Sequence, residues 1–308
     1  MRTTTQIITT QGYLDSKEVK RLAKATQAMY SYALGHVEKF LDQTLKLSPI
    51  EMSRMDRPQK LDNFDMKGFA AYLENNNLSG QSVRQYLACT KIFLNWAGYH
   101  VDYTYRRSNK DIQDNKRKHL DRWFSEMEIE MCLQYNDFTD GRYGIRPMYQ
   151  AIVHILIETG CRVGEITNIK LEDMHLDDQY IIVHGKTEPR PVIISEETVD
   201  MLRKILSKKL PYHGADSLFP DTSKIKNAVN RMFLDLGLKT TGDGRGPHTF
   251  RHYAATYLYY TGGMDIEILA FLLGDKVDTI RERYLHPTPD MIRKKVLMAW
   301  GKWEEVAP

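Results

Sequence analysis

A polar and basic segment near the middle of this sequence is the feature that most constrains its fold. Residues 106–123 read RRSNKDIQDNKRKHLDRW and have no apolar periodicity. A segment without regularly spaced apolar residues cannot contribute a face to a core, and such segments usually join domains. The sequence therefore predicts two domains connected by a basic linker at residues 107–122.

The chain length and the charge distribution agree with two domains, of which the first is basic. Residues 1–118 contain 19 Lys and Arg against 12 Asp and Glu, whereas the whole chain of 308 residues has a net charge of only +3. A basic domain suits a polyanionic partner. A basic surface that is merely solvated explains the same charge equally well.

The composition also bears on the compartment and on metal binding. No stretch approaches the roughly 18 consecutive apolar residues of a membrane span, and the N terminus lacks the apolar core of a signal peptide. We therefore expect a cytoplasmic protein that has no membrane partner. Cys89, Cys132 and Cys161 share no close spacing, which predicts buried, reduced thiols and no cysteine-based metal site.

Helical periodicity dominates the sequence before the basic segment. In SVRQYLACTKIFLNWAG, apolar side chains recur at three- and four-residue spacing, while Arg84 and Lys91 fall on other faces. Residues 15–46 and 65–75 also have helical patterns. The first part of the chain should therefore be all-helical.

The helical patterns do not define a sharp boundary within residues 1–106. We expect a helical domain at residues 56–106 and, before it, a helical extension or arm at residues 1–55. The pattern does not decide whether the arm is a separate element or belongs to the domain.

The second domain, residues 123–308, is predicted to be mainly α-helical with one β-hairpin. Ser125 and Glu128 have the spacing of a capping box, which marks the start of a helix. The β-branched runs QYIIVH and RPVIIS flank GKTEP, whose Gly and Pro favour a turn. Helical patterns follow at residues 196–208, 222–236, 248–260, 265–273 and 288–299. The C-terminal helix has an apolar stripe that suits either its own domain or a neighbouring subunit.

Two segments of this domain combine cationic side chains with a helix break or a turn. In TGCRVGEI, Arg162 follows a break in the helix and Glu165 lies three residues later on the same face. This pair either binds an anion through Arg162 or forms a simple surface salt bridge. Lys186 occupies the tip of the predicted hairpin, where an ammonium group is either solvated or a general acid in a groove.

Two further segments contain histidines and a tyrosine. In HTFRH, His248 and Arg251 share one helix face, and His252 adds a second imidazole. Two histidines four residues apart are typical of a zinc helix, but threonine stands where that motif has glutamate, so we expect no metal. Tyr284 in RERYLH stands two residues before His286. It is either a packed aromatic residue or a nucleophile that needs cationic surroundings.

Together these segments resemble the tyrosine recombinases of the phage integrase family. TGCRVGEI, HGKTEPR, HTFRH and LLGDKVDTIRERYLH occur in the order and approximate spacing of the catalytic motifs of that family, over about residues 119–308. The resemblance implies a mostly α fold, in which a helical core-binding domain precedes a mainly α catalytic domain with a small β-sheet.

The activity that the resemblance implies is site-specific recombination. Such an enzyme cleaves and rejoins double-stranded DNA through a covalent 3′-phosphotyrosine intermediate and needs no cofactor. The resemblance further implies a monomer in free solution and a homo-tetramer on DNA, with accessory DNA-bending proteins as further candidate partners.

The resemblance also assigns roles to individual residues. Arg162 and Arg251 match the two arginines that bind the scissile phosphate, and Tyr284 matches the nucleophile. His248 matches a donor or general base near that tyrosine, and Lys186 matches the lysine that protonates the leaving 5′ hydroxyl. The supporting candidates are Glu165, His252, Asp275, Lys276 and His286. The side chains expected to contact DNA are Arg84, Lys91, Arg106, Arg107, Lys116, Arg117 and Lys118.

One position departs from the family pattern. Gly274 lies ten residues before Tyr284, which matches the family spacing and leaves Asp275 where His or Trp usually donates a hydrogen bond to the phosphate. An ionised aspartate cannot donate, and it repels a phosphate. Either Lys276 replaces the missing donor, or Asp275 turns outward as a helix N-cap, or the enzyme is slow or inactive. We favour the first two together, because every other catalytic position matches.

Two other functions fit parts of this pattern. A type IB topoisomerase uses a similar set of Arg, Lys, His and Tyr as a monomer, but the compact helical domain and the short tail after Tyr284 favour a recombinase. A DNA-binding protein of the same fold, with a site impaired by Asp275, is the alternative without catalysis.

Overall fold

The computed structural model describes most of the chain as two compact units. One unit lies within residues 1–114 and the other within residues 115–308. No helix in the part of the chain that the structure describes is both long and apolar enough to cross a membrane. The described residues are 10–45, 64–106, 124–138, 146–185, 188–207, 218–240, 243–285, 287 and 289–299.

Helices make up the regular structure described in the first unit. Asp65 Oδ1 accepts a hydrogen bond from the backbone N–H of Gly68 at 2.8 Å, and Ser79 Oγ accepts one from Ser82 at 3.2 Å. Side-chain acceptors at these positions satisfy N–H groups that have no partner within the first turn of a helix. The helices are α1 (Thr10–Leu14), α2 (Lys17–Lys20), α3 (Lys24–Leu45), α4 (Met66–Asn75) and α5 (Gly80–Trp96).

Aromatic side chains build the core of the first unit. The ring centroids of Phe40 and Phe69 lie 5.3 Å apart, and those of Tyr13 and Phe93 lie 5.6 Å apart. Each pair joins a helix from before residue 55 to a helix from after it, and all four residues belong to one buried cluster. Helices α1 to α3 and helices α4 and α5 thus share a single core.

The second unit is mainly helical and contains a small antiparallel sheet, which confirms the predicted fold class. The predicted hairpin pairs Ile181 with Val192, and a short preceding strand extends the sheet to three strands. The elements are α6 (Glu126–Gln134), α7 (Arg146–Thr159), α8 (Val163–Ile166), a 3₁₀ turn (Leu171–Asp173), β1 (Met174–His175), β2 (Tyr180–Val183), β3 (Arg190–Ile193), α9 (Glu196–Ser207), α10 (Thr222–Asp235), α11 (His248–Thr256), a π-helical segment (Tyr257–Thr261), α12 (Ile266–Leu273), α13 (Val277–Arg283) and α14 (Pro289–Ala299).

Some local expectations for this unit are confirmed, and several short elements were not predicted. The backbone N–H of Ser125 donates to Glu128 Oε2 at 2.7 Å, and the backbone N–H of Glu128 donates to Ser125 Oγ at 3.2 Å, so the capping box is present. Strand β1 and helix α13 have too few residues to show a period in the sequence. Cys132 and Cys161, like Cys89 in the first unit, are free and buried, as expected.

Helix α7 lies at the centre of the second unit and ends just before Arg162. All residues from 151 to 157 are buried, so the helix is enclosed around its circumference, and all of these residues except His154 are apolar. It ends where Thr159 Oγ1 donates back to the carbonyl of Ile155 at 2.5 Å and Gly160 takes a φ of +62°. A Cβ on Gly160 would lie 2.8 Å from Leu273 Cδ2. Glycine therefore allows both the left-handed turn and the close approach of α12.

Candidate active site

Arg162 and Glu165 lie just after α7, where the chain turns into the short helix α8. Glu165 Oε2 accepts a hydrogen bond from the backbone N–H of Arg162 at 2.9 Å, and Glu165 Oε1 accepts one from Arg162 Nη1 at 2.9 Å. The predicted contact between the two side chains is therefore present. Because Glu165 is only 2% exposed, the pair is not a surface salt bridge.

Arg190, at the start of β3, contacts Glu165 from the other side and was missed by the sequence analysis. Its Nη2 donates to Glu165 Oε2 at 2.8 Å, and its Nε donates to the carbonyl of Leu272 at 2.7 Å. Burial alone would raise the pKa of Glu165, but the bonds from Arg190 and Arg162 outweigh burial and hold that pKa below its ordinary value of 4.5. The available signal was an arginine beginning a strand that is otherwise apolar.

Arg251 is the largest fully buried side chain in the described part of the protein. Its Nη1 donates to the carbonyl of Gly160 at 2.9 Å, and its Nη2 donates to the carbonyl of Leu273 at 2.7 Å. A buried guanidinium is tolerated only when its donors find acceptors. These two carbonyls fix Arg251 between the end of α7 and the end of α12, and its remaining donors face the site.

Tyr284 follows α13, and its hydroxyl lies between Arg251 and His248. The hydroxyl is 3.1 Å from Arg251 Nε, which donates to it, and 3.3 Å from His248 Nε2. Thr256 Oγ1 donates to the backbone carbonyl of Tyr284 at 2.8 Å, and the ring of His252 lies 4.8 Å from the Tyr284 ring between centroids. The phenol is thus held from both ends and is only 3% exposed.

The surroundings of His248 keep its imidazole neutral. The residue begins α11 and retains an exposed surface, but its ring faces the site. The partial removal of water around the ring, together with the charges of Arg251 and Arg162, lowers the pKa of His248 to about 4. At neutral pH the imidazole is therefore uncharged, and its Nε2 can accept the proton of the Tyr284 hydroxyl.

Asp275 points into the site and binds both arginines. Its Oδ1 accepts from Arg162 Nη2 at 2.6 Å, and its Oδ2 accepts from Arg251 Nη2. The expectation that Asp275 turns outward as a helix N-cap is wrong, because the residue that precedes α13 is Lys276 and the carboxylate is held by the two guanidinium groups. Lys276 is exposed. Whether it compensates for the missing donor stays a prediction.

Several predicted residues fall on other parts of the chain. Of those proposed to contact DNA, Arg84 and Arg106 are exposed and Lys91 is half-buried in the first unit. The remaining predicted residues lie outside the described part of the chain; these are Lys186, His286, Arg107, Lys116, Arg117 and Lys118.

The described residues bring together the kinds of groups that suit the transfer of a phosphoryl group to tyrosine. Two guanidinium groups converge on the Asp275 carboxylate, and one of them, that of Arg251, also donates to a phenol that contacts a neutral imidazole. Arginine forks match the oxygens of a phosphate as well as those of a carboxylate. No group of three or more His, Cys, Asp or Glu suited to a metal ion occurs among the residues that the structure describes.

Known proteins that resemble this chain are tyrosine recombinases. The profile of the phage integrase family matches residues 133–291. Tyrosine recombinase XerD of Listeria monocytogenes is 25% identical over 279 residues, which cover 87% of this chain and 89% of the relative. Tyrosine recombinase XerC of Staphylococcus epidermidis is 26% identical over 245 residues, which cover 76% of this chain and 80% of the relative.

A solved structure shares the fold. The XerH site-specific recombinase bound to palindromic difH substrate, in a post-cleavage complex, superposes with a TM-score of 0.67 at 20% identity, covering 92% of this chain and 82% of that one. Because the family profile matches more than half of the chain, this chain belongs to the phage integrase family. It is a site-specific DNA recombinase of the tyrosine type, an enzyme that breaks and rejoins DNA.

Proposed function

We propose that Tyr284 is the nucleophile of this recombinase and that Arg162 and Arg251 bind the phosphate it attacks. The Tyr284 oxygen forms a bond to phosphorus, the bond between phosphorus and the 5′ oxygen breaks, and the 3′ end of the DNA remains attached to the tyrosine. Attack by a 5′ hydroxyl reverses these events and joins the strands. The energy of the phosphodiester bond is retained in the phosphotyrosine.

The observation that carries this proposal is the double contact of Asp275. A single carboxylate reaches Arg162 and Arg251 at once, next to the hydroxyl of Tyr284. A phosphate oxygen pair has a similar span and charge. The same two arginines are thus arranged to receive an anion at the position where a phosphate can be attacked by the phenol.

The proton of the nucleophile has an acceptor nearby. His248 Nε2 is 3.3 Å from the Tyr284 hydroxyl and its low pKa leaves it free to take the proton. Arg251 Nε donates to the same hydroxyl and favours the phenolate that forms as the proton leaves. By resemblance to the family, Lys186 then protonates the leaving 5′ oxygen.

We further propose that the protein binds double-stranded DNA and assembles on it as a homo-tetramer from monomers. The exposed basic residues Arg84 and Arg106 of the first unit suit contact with phosphates. Mass measurement in solution should give a monomer without DNA and a tetramer with a full recombination site. A recombination assay with and without added DNA-bending proteins shows whether such accessory proteins are needed.

The proposed chemistry is tested by trapping the covalent intermediate. The cognate site is first selected from a randomised DNA pool and then prepared as a nicked duplex, from which the strand beyond the cut diffuses away. We expect a protein–DNA adduct that survives denaturation, that is absent in Tyr284→Phe and that persists in Tyr253→Phe, a tyrosine variant outside the site. An adduct that persists in Tyr284→Phe contradicts the proposal, and no adduct with the selected site favours a DNA-binding protein without catalysis.

A further inference from the structure

The carboxylate of Asp275 occupies the anion position of the site. Its two oxygens bind different arginines, Oδ1 to Arg162 and Oδ2 to Arg251, and the side chain is only 17% exposed. A phosphate that binds both arginines therefore meets this carboxylate. The encounter brings two anions to the same pair of cations.

The backbone around Asp275 gives it little freedom to leave. The carbonyls of Leu272 and Leu273 accept hydrogen bonds from Arg190 and Arg251, both at 2.7 Å. Gly274 takes a φ of +63°, and a Cβ there would lie 2.8 Å from Arg190 Nη1. The backbone N–H of Asp275 donates to the carbonyl of Ala270 at 3.1 Å. The side chain thus starts from a fixed point at the edge of the phosphate position, and side-chain rotation is its main freedom.

A bound phosphate removes the excess of positive charge that this carboxylate faces in the free protein. In the free protein, three guanidinium groups face two carboxylates, and each carboxylate contacts two guanidinium groups. A phosphodiester adds a third negative charge. Two anions that share the same cations disfavour each other's ionised form. A phosphodiester is a much stronger acid than a carboxylic acid, so Asp275 is the one of the two that can take up a proton. The charged and titratable groups that face Asp275 or lie beside it are Arg162, Arg251, His248, Tyr284, Lys276 and, through their bonds to the arginines or to the preceding loop, Glu165 and Arg190.

We propose that Asp275 takes up a proton when the scissile phosphate binds and then donates its O–H to a phosphate oxygen. This inference rests on the proposed function of the site. The proton comes from solvent, no bond other than O–H is made on Asp275, and the phosphate retains its charge. The residue thereby supplies the hydrogen bond that an ionised aspartate cannot give. In the free enzyme the same residue neutralises part of the charge of the arginines.

The proposal makes cleavage depend on pH in a defined direction. Phosphate binding strengthens the hold of Asp275 on its proton, so the active complex is present at low pH and is lost as pH rises through the range in which that proton leaves. Loss of the neutral form of His248 reduces cleavage at the acid end. Because the charge of Asp275 raises the pKa of His248, the wild type and an Asp275 variant are compared above the acid range in which His248 takes up a proton.

The test compares three proteins in adduct formation with the nicked cognate duplex over a range of pH. Asp275→Asn has nearly the same shape, carries no charge and donates at every pH, whereas Asp275→Ala neither competes nor donates. At neutral and higher pH we expect Asp275→Asn to react about tenfold or more faster than the wild type and faster than Asp275→Ala, because a hydrogen bond to a charged group contributes roughly that factor. At low pH the wild type should approach Asp275→Asn.

Two results would overturn the proposal. A ratio of wild type to Asp275→Asn that stays constant with pH excludes a proton on Asp275. Equal rates for Asp275→Ala and Asp275→Asn would show that a donor at position 275 has no effect, so that Asp275 only competes with the phosphate for the arginines. If none of the three proteins forms an adduct that depends on Tyr284, the proposed function fails rather than this inference.

A binding measurement checks the same point without catalysis. Calorimetric titration of the Tyr284→Phe protein with the cognate duplex, in two buffers of different ionisation enthalpy, gives the number of protons taken up. We expect an uptake of up to about one proton that is absent in the double variant Tyr284→Phe, Asp275→Asn. Equal uptake by both proteins would contradict the proposal.

Discussion

In the first unit the core consists of apolar and aromatic side chains, and the basic residues Arg84 and Arg106 lie exposed at its surface. In the second unit Glu165, Arg190 and Arg251 are buried, each with no more than 2% of its surface exposed. Burying charges costs free energy unless each one is paired and hydrogen-bonded. The first unit thus exposes its cations where a long polyanion can reach them. The second unit instead buries its cations at a cost in folding free energy, and this burial fixes them around the position of one anion.

The largest expected effect on stability comes from breaking the buried charge network. Glu165→Gln leaves Arg162 and Arg190 without their shared anion, and removing one partner of a buried pair typically costs about 3 to 5 kcal/mol. Glu172→Gln is the matched control, because Glu172 pairs with Lys170 at the exposed surface and should change stability by less than about 1 kcal/mol. Chemical denaturation, monitored by hydrogen exchange in the second unit, measures the change in the free energy of unfolding for both variants. Equal effects of the two variants would show that burial of the network has no energetic importance.

A slightly smaller effect is expected from the apolar core of the first unit. Leu73 is fully buried, and Leu73→Ala should lower the free energy of unfolding by about 3 kcal/mol through lost burial and the cavity that remains. Ile92→Ala, at an exposed position of α5, is the control and should change it little. Hydrogen exchange should place the loss in the first unit. A loss that is equally large for Ile92→Ala would contradict the assigned core.

The two units should also differ in how acid affects them. The pKa of Glu165 is lower in the folded protein than its ordinary value of 4.5, so the ionised carboxylate stabilises the folded state above that value and this contribution is lost as pH falls through the folded pKa. Leu73→Ala changes no titrating group. The stability difference between wild type and Glu165→Gln should therefore shrink in acid, whereas the difference between wild type and Leu73→Ala should stay constant. A Glu165→Gln difference that is independent of pH would be incompatible with this explanation.

The smallest effect concerns a helix start. Ser125→Ala removes the hydrogen bond that Ser125 Oγ accepts from the backbone N–H of Glu128, and such a change typically costs about 1 kcal/mol. Ser82→Ala, on the first turn of α5, is a control that keeps the cap at Ser79. Thermal unfolding of the two variants checks the order of the effects. A larger loss for Ser82→Ala would contradict the capping role of Ser125.

Features with a local cause were predictable from the sequence. The capping box at Ser125 and the hairpin follow from spacing and turn residues within a few positions. The pairing of Arg162 with Glu165 also follows from their separation of three residues. The order of the motifs, by resemblance to a family, predicted roles for His248, Arg251 and Tyr284, and these roles stay predictions.

Features that depend on distant contacts were not predictable. Arg190 reaches Glu165 from 25 positions away, and although an arginine that begins an apolar strand is unusual, the sequence around it does not indicate its partner. The outward turn expected for Asp275 was wrong because its orientation is decided by Arg162 and Arg251, which lie 113 and 24 positions away. The shared core of α1 to α3 with α4 and α5 likewise depends on aromatic contacts that a helical pattern cannot specify.

The central claim is that Tyr284, held between Arg251 and His248, becomes covalently attached to DNA. The most direct measurement is digestion of the trapped adduct and mass spectrometry of the peptide that carries the DNA phosphate. The claim predicts a phosphodiester on Tyr284. A phosphodiester on any other residue, including the nearby Tyr253, Tyr257, Tyr259 or Tyr260, would contradict it.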